Sequence, residues 1–372
     1  MRTIGVEEEL LIVSADSGWP LPLAGAVLEA AARSGPGPSF TTEFKQEQIE
    51  VNTRPCATAE ELRAEIVAGR SSADDAARTV GARIAASGTP PLMSTTPTEG
   101  DRRYSAMSRR FGMVAREQIT CGFHVHVSIT TREEGVGVLD RIRPWLPVLL
   151  ALSANSPFWN GEDTGFASYR TQIWSRWPSA GPADPFGTAA GYEATISRLI
   201  RTGVLLDEGM VYFDARLCRH QPTVEVRIAD ICLLAEDAVV LAAAVRALVE
   251  TAARDWRNGD PVPAVRTDTL RLADWQASRF GLSGALLDPA TGTPRPAAAV
   301  VGDFTDRLDA ALDAAGDRPL VQAGIARILD RGPGERLQRE AYGSGLASDV
   351  VAAIVEATHA PGRPQEERHS GN

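Results

Sequence analysis

Four short stretches of the chain alternate polar side chains of chemical interest with apolar ones. Glu7 and Glu9 lie in Gly5-Val6-Glu7-Glu8-Glu9-Leu10, and Gln48, Glu50 and Asn52 alternate with Ile49 and Val51. His124, His126 and Ser128 alternate with Phe123, Val125 and Val127, and Glu225 and Arg227 with Val224, Val226 and Ile228. In a strand, side chains two apart share a face. Each stretch therefore offers an apolar face to a core and a face of carboxylates, imidazoles, amides or a guanidinium. A sheet with one solvated side gives the same alternation. These faces, however, carry Glu and His at their centres and are bracketed by Gly5 and Gly122.

If the four strands line one cavity, Glu7 and Glu9 alone, about 7 Å apart, repel by roughly 2–3 kcal/mol at an effective dielectric near 20. Glu50 and Glu225 would add to that, so the cluster must either take up protons or hold divalent cations. Carboxylate oxygens with one imidazole, His124, suit Mg²⁺ or Mn²⁺ better than Zn²⁺. Arg227, on the face of Glu225, would set a fixed cation beside the metal, suited to a phosphate. A hydrolytic zinc site at His124-x-His126 is the competing reading, but no third histidine or H-E-x-x-H helix accompanies it.

These strands need supports, and the sequence outlines them. Ile4–Val13 and Gln48–Arg54 read as strands, with a short helix at Ala24–Arg33 between them. Thr58–Ser87 reads as one long Ala-rich helix, N-capped by Thr58 with Glu60 and Glu61 in its first turn. Ser105–Arg116 reads as helix, Thr120–Thr130 as strand, and Arg132–Ala154 as a helix broken near Pro144 and Pro147. Val211–Cys218 and Thr223–Ile231 should pair as a hairpin, making the sheet partly antiparallel. Helix follows from Leu234 to Trp256. The rest reads as helices around a surface loop at Asp288–Ala299, with a disordered tail after about Ala360. Trp159, Trp174 and Trp177 fall in a Gly/Pro-rich segment, where core packing is the simplest role.

Composition narrows the function. The 372 residues carry a formal net charge of −10, which provides no electrostatic footprint for nucleic acid or an anionic membrane. An anionic substrate would need local cations. No apolar signal core or membrane-length stretch stands out, so a cytoplasmic location is expected. Four dispersed cysteines without a C-x-x-C pair argue for reduced, packing thiols. Lys45 is the only lysine, which excludes a phosphate-binding G-x-x-x-x-G-K-[ST] loop and leaves little scope for lysine chemistry.

Gly5–Leu10, Glu50-Val51-Asn52-Thr53 and Cys121–Val127 resemble signature segments of the bacterial carboxylate–amine ligases of glutamate–cysteine ligase family 2. Asn155–Gly165, Trp174-Ser175-Arg176-Trp177-Pro178 and Pro222–Arg227 resemble further blocks of that family in the same order. The resemblance covers Met1–Trp256 and fades beyond.

It implies an α+β, glutamine-synthetase-like fold: a curved, largely antiparallel sheet lining the active-site cavity, with helices packed behind. It also implies ATP as substrate with two or three Mg²⁺ ions. Glu7, Glu9, Glu50, His124 and Glu225 fall where metal ligands would lie, and Arg227 where a catalytic phosphate contact would. Gln48, Arg103, Tyr104, His126, Arg170, Arg176 and Arg216 are candidate contacts for ATP or substrate carboxylates. The implied reaction joins glutamate to cysteine or another amine through an acyl phosphate, releasing ADP and phosphate, with no protein nucleophile. A metal-dependent hydrolase and a nucleotide-binding protein without turnover are the alternatives. One catalytic domain over 1–360 is expected, with sheet and site within 1–256 and a helical part over 257–360; a homodimer is the expected assembly.

Overall fold

The computed structural model describes residues 1–33, 37–92 and 102–360. The expected tail at 361–372, with His369, lies outside them. The strands are β1 (Ile4–Ser14), β2 (Ser39–Thr42), β3 (Gln48–Asn52), β4 (Ala82–Ala85), β5 (Gly122–Ser128), β6 (Phe158–Trp159), β7 (Glu162–Asp163), β8 (Ala215–Leu217), β9 (Thr223–Asp230), β10 (Ala285–Leu287) and β11 (Pro294–Pro296). Seven form one sheet in the order β2-β3-β1-β5-β9-β8, with β4 also on β1. Every pairing in it is antiparallel, so the sheet is more uniformly antiparallel than the sequence suggested.

The apolar face of this sheet is covered by helices. Phe123, Val125 and Val127 on β5 are almost fully buried, each worth about 1.5–3 kcal/mol relative to exposure. The Ala59–Arg78 and Ala235–Asn258 helices pack against β1, and against β3 and β5 respectively. Gly69 lets the first of these helices approach β3: a Cβ there would sit 2.6 Å from Val51 Cγ1. Any larger residue would push helix and strand apart. Thr58 caps this helix, accepting from the Glu61 amide while the Glu61 carboxylate returns to the Thr58 amide, the reciprocal capping box.

Three local readings are corrected. The Ala-rich helix ends at Arg78, not Ser87, because Gly81 turns the chain with φ +74° and Ala82–Ala85 becomes β4 on the C-terminal half of β1. Those alanines suit a strand buried beneath neighbours, so composition concealed the change. Asp288–Ala299 is not a plain loop: β10 and β11 form a hairpin whose turn is held by Asp288 accepting from the amides of Ala290 and Thr291, and a helix starts at Ala297. The predicted Val211–Cys218 strand shrinks to Ala215–Leu217, preceded by a 3₁₀ turn at Glu208–Met210. The break predicted at Pro144 and Pro147 is present as a 3₁₀ turn at Arg143–Trp145.

The helices after 257 join the same body. Gln338 Nε2 donates to Asn155 Oδ1 and the Asn155 carbonyl at 2.8 and 2.9 Å, and Thr358 Oγ1 accepts from the Ala86 amide at 2.9 Å.

Candidate active site

Register brings the four polar faces together. Glu9 lies opposite Glu50 across β1–β3, Glu7 opposite His124 across β1–β5, and Glu225 opposite both His126 on β5 and Arg216 on β8. Directly opposed residues of antiparallel strands have neighbouring side chains, so one face concentrates carboxylates, imidazoles and guanidiniums from five strands. A bulge in β9 sharpens this. Phe123 pairs with Ala229 but Val125 with Val226, so Arg227 and Ile228 together oppose His124, and such an extra residue re-aims its side chains.

His124 links two carboxylates. Its Nδ1 lies 2.9 Å from Glu7 Oε2, while Arg227 NH1 lies 3.4 Å from the same nitrogen. A guanidinium only donates, so of these two neighbours only the carboxylate can accept an Nδ1–H. In the neutral ring that a metal requires, the lone pair then falls on Nε2, which is buried, makes no hydrogen bond among the described residues and sits 3.5 Å from Glu9 Oε1. A histidine whose second nitrogen is fixed by a carboxylate is the usual arrangement around a metal. One ligand atom from each of Glu9, Glu50 and His124 lie within 4.8 Å of one another, and the same holds for Glu7, His124 and Glu225. These donor sets contain all five predicted metal ligands, and their oxygen-rich chemistry with one orphaned imidazole nitrogen fits a hard divalent cation.

Charge is heavily compensated. Burial pushes the Glu7 carboxyl up, but hydrogen bonds and charge from His124 and His126 pull it well below the ordinary carboxylate range. Burial likewise opposes Glu225, yet Arg227 and Arg216 hold it at about 2. Arg216 donates to it through Nε and NH2 at 2.7 and 3.1 Å, and Arg227 donates to it as well. His126 rises to about 10 against burial, through Cys218 and Glu7.

The predicted residues divide into three groups. Glu7, His126, Arg103, Arg216 and Glu225 line a cavity of about 660 Å³ together with Arg132, Tyr192, Arg219 and others, a volume typical of small-molecule sites. His124, Arg227, Glu9 and Glu50 adjoin them on the sheet. The remaining four are placed differently. Gln48 is buried and its Nε2 is committed to the Thr120 carbonyl and Cys121 Sγ at 2.6 and 3.2 Å, so it anchors the approach to β5. Arg170 is buried beneath the site, donating to the carbonyls of Ile228 and Arg227; its guanidinium occupies the space a Cβ on Gly122 would need. This explains the glycine at 122. Tyr104 stacks edge-on with Phe44, at 5.3 Å between ring centres. Arg176 pairs with Glu117 at 2.5 Å and is not part of the cavity wall. Trp177 is core, as expected, while Trp174 lies under the guanidiniums of Arg170 and Arg227 at 5.6 and 6.0 Å.

Sequence reasoning missed several participants. Glu43 faces Glu9 and Glu50; burial first, then those charges, push its carboxyl well above the ordinary range. It directly follows β2, in the short connection to β3, where alternation carries no signal. Cys218 is not mere packing: it lines the cavity, and His126 with the His220 and Gln221 backbone lowers its thiol against the effect of burial. Each arginine of the wall has an acidic neighbour: Arg103 pairs with Asp207 at 2.7 Å, Arg132 with Glu193, and Arg219 with Glu208 at 3.7 Å.

The family model for glutamate–cysteine ligase family 2 matches residues 3–351. The chain belongs to this family. A Paenarthrobacter aurescens (strain TC1) protein, provisionally named glutamate–cysteine ligase 2-1, is 60% identical over 366 residues, 96% of this chain and 95% of that protein. A Streptomyces coelicolor relative with a similar provisional name is 48% identical over 362 residues, 97% of this chain and all of its own. The match thus extends well past Trp256, where the sequence resemblance fades. Among solved structures, the Francisella tularensis glutamate–cysteine ligase in complex with AMP superposes with a TM-score of 0.68 at 13% identity, covering 98% of this chain and 90% of that one. A bifunctional glutathione synthetase from Pasteurella multocida gives 0.69 at 15% identity, over 96% of this chain and 52% of that one. The fold is therefore the glutamine-synthetase-like ligase fold. As a member of glutamate–cysteine ligase family 2, the chain is an ATP-dependent ligase that forms carbon–nitrogen bonds from small-molecule substrates, the reading that the family match supports over a metal-dependent hydrolase. No helix among the described residues is long and apolar enough to cross a membrane.

Proposed function

We propose that this ligase joins the γ-carboxylate of glutamate to an amine, cysteine or a relative, through an acyl phosphate, with Mg²⁺ held by Glu7, Glu9, Glu50, His124 and Glu225. The observation that carries this is the orphaned, buried His124 Nε2 facing Glu9, with Glu50 in the same donor set and a second set sharing His124. Bound there, Mg²⁺ would offset phosphate charge during transfer.

The chain's own residues supply the rest. Glu7 fixes the His124 ring through Nδ1. Arg227, buried beside Glu225 and His124, offers a rigid fork to a phosphoryl oxygen. Arg216 and Arg103 present cations along the cavity wall, each already holding a carboxylate. An incoming phosphate or substrate carboxylate would therefore exchange with an internal anion rather than meet a bare cation. Such exchange favours ligands of matching charge and shape. Residues 1–360 act as one catalytic unit in this reading, and the assembly is a homodimer.

The test is ADP release from the purified chain with ATP, Mg²⁺ and glutamate across a panel of amines including cysteine, each repeated without glutamate. ADP that requires both carboxylate and amine is the expected result. ADP released equally without glutamate would remove glutamate as the carboxylate substrate.

A further inference from the structure

Of the four thiols, Cys56, Cys121 and Cys232 are buried, and Cys218 alone lines the cavity. A ligand atom from each of His126, Cys218 and Glu225 lie within 4.8 Å of one another. All three face the cavity, where His126 Nε2 also lies 3.0 Å from Glu7 Oε1. The three are rigidly placed: His126 lies opposite Glu225 in the β5–β9 ladder, and the Cys218 amide donates to the Thr223 carbonyl of β9 at 3.0 Å. Thiolate, imidazole and carboxylate together make a donor set for borderline-soft ions such as Zn²⁺, whereas Mg²⁺ avoids sulfur. Tetrahedral zinc with bonds near 2.0–2.3 Å needs its ligand atoms about 3.5 Å apart, a closure of at most about 1.3 Å from the 4.8 Å limit, which side-chain rotation can supply.

We propose that His126, Cys218 and Glu225 form a separate soft-metal site for Zn²⁺-class ions, with a fourth coordination position open to the cavity. Glu225 also belongs to the set Glu7, His124 and Glu225. The two sites consequently compete: zinc at Cys218 withdraws a donor from the hard-cation site. This second statement rests on the magnesium reading above; the first does not. Glu225 can accept from Arg216 and Arg227 and still ligate, since an ionised carboxylate has about four lone-pair sites.

Cobalt titration of the metal-free full chain reads the site directly, through the thiolate-to-cobalt absorption band. Wild type is expected to show about one equivalent of band, displaced by Zn²⁺ but not by millimolar Mg²⁺; Cys218→Ser should lose it. No band in wild type, or an undiminished band in Cys218→Ser, overturns the site. Should Cys218→Ser unfold on a thermal melt, His126→Asn serves instead, with at least tenfold weaker cobalt binding expected; unchanged affinity overturns the site. Competition is read from Mn²⁺ binding by electron paramagnetic resonance. Zn²⁺ should release Mn²⁺ from wild type at tenfold or more lower concentration than from Cys218→Ser. Equal release from both, or no Mn²⁺ binding, overturns the competition, and the second result also removes the hard-cation reading while leaving the cobalt band to stand on its own.

Discussion

Consecutive carboxylates on β1 meet opposite surroundings. Glu8 turns to the helix side, where Arg70 donates to it through Nε and NH2 at 3.0 and 2.6 Å. The guanidinium spends its remaining capacity on the carbonyls of Leu233 and Cys232 at 2.8 and 2.7 Å. Glu7 and Glu9 turn to the other side. There the partners are imidazoles, with His124 Nδ1 and His126 Nε2 at 2.9 and 3.0 Å from Glu7, and the Gly122 amide, while His124 Nε2 and Arg227 Nε remain buried without hydrogen bonds among the described residues. Both sides bury charge, but only one is saturated. Buried polar atoms without partners are costly, so a saturated pair marks structure and an unsaturated cluster marks where a ligand belongs.

The largest effect expected from this contrast is on the saturated side. Arg70→Met strands the Glu8 charge and should cost about 3–5 kcal/mol of unfolding free energy by denaturant titration. Replacing both partners with apolar residues should cost much less. A loss below about 1 kcal/mol for the single change would mean that the pair is not a structural clamp. On the unsaturated side, Glu50→Gln should lower glutamate-dependent ADP release by at least about 100-fold, roughly 2.7 kcal/mol. Stability should hold or rise, because a charge leaves the neighbourhood of Glu9 and Glu43. Glu225→Gln should behave alike in turnover, and retained activity in either variant would remove that residue from the donor set. Arg227→Lys keeps the charge but loses the planar fork, so kcat should fall about tenfold; a normal kcat would leave Arg227 as a mere counter-ion to Glu225.

The smallest effect concerns a third kind of buried carboxylate. Asp214 and Asp274 share a hydrogen bond, and burial raises both, Asp214 to about 7. The folded state therefore binds protons more tightly than the unfolded chain, so stability is present at low pH and declines as pH rises from about 4 to about 7. Asp274→Asn should flatten that decline, with a gain on the order of 1 kcal/mol at pH 8. A melting profile of unchanged shape would show that the pair does not titrate there.

What could be read in advance follows the physics of alternation. The polar faces of β1, β3, β5 and β9 were legible because a two-residue period exposes which side chains travel together, and all five proposed metal ligands came from them. Glu8 was legible only as an oddity on an apolar face, since its partner Arg70 arrives from a helix distant in sequence. β4 was hidden because Ala82-Arg83-Ile84-Ala85 continues an alanine-rich helix in composition, with Gly81 the sole warning. Gln48 and Arg170 illustrate the opposite failure: their types suit substrate binding, but carbonyls buried nearby claim them first. Cys218 and Glu43 carried no local pattern, and only cross-strand placement gives them meaning.

The bulge in β9 sets a limit on how this site can change. Glu225 and Asp230 stand an odd number of positions apart, yet both face the same side, opposite His126 and Gly122. Asp230 uses that orientation to accept from the Asn155 amide and the hydroxyls of Ser156 and Ser168 at 2.7–2.9 Å. Removing a single residue between them would turn Asp230 toward the helices and strip it of those donors. The length of this strand is therefore fixed, and lineages that vary the substrate should do so without insertions or deletions between Thr223 and Asp230.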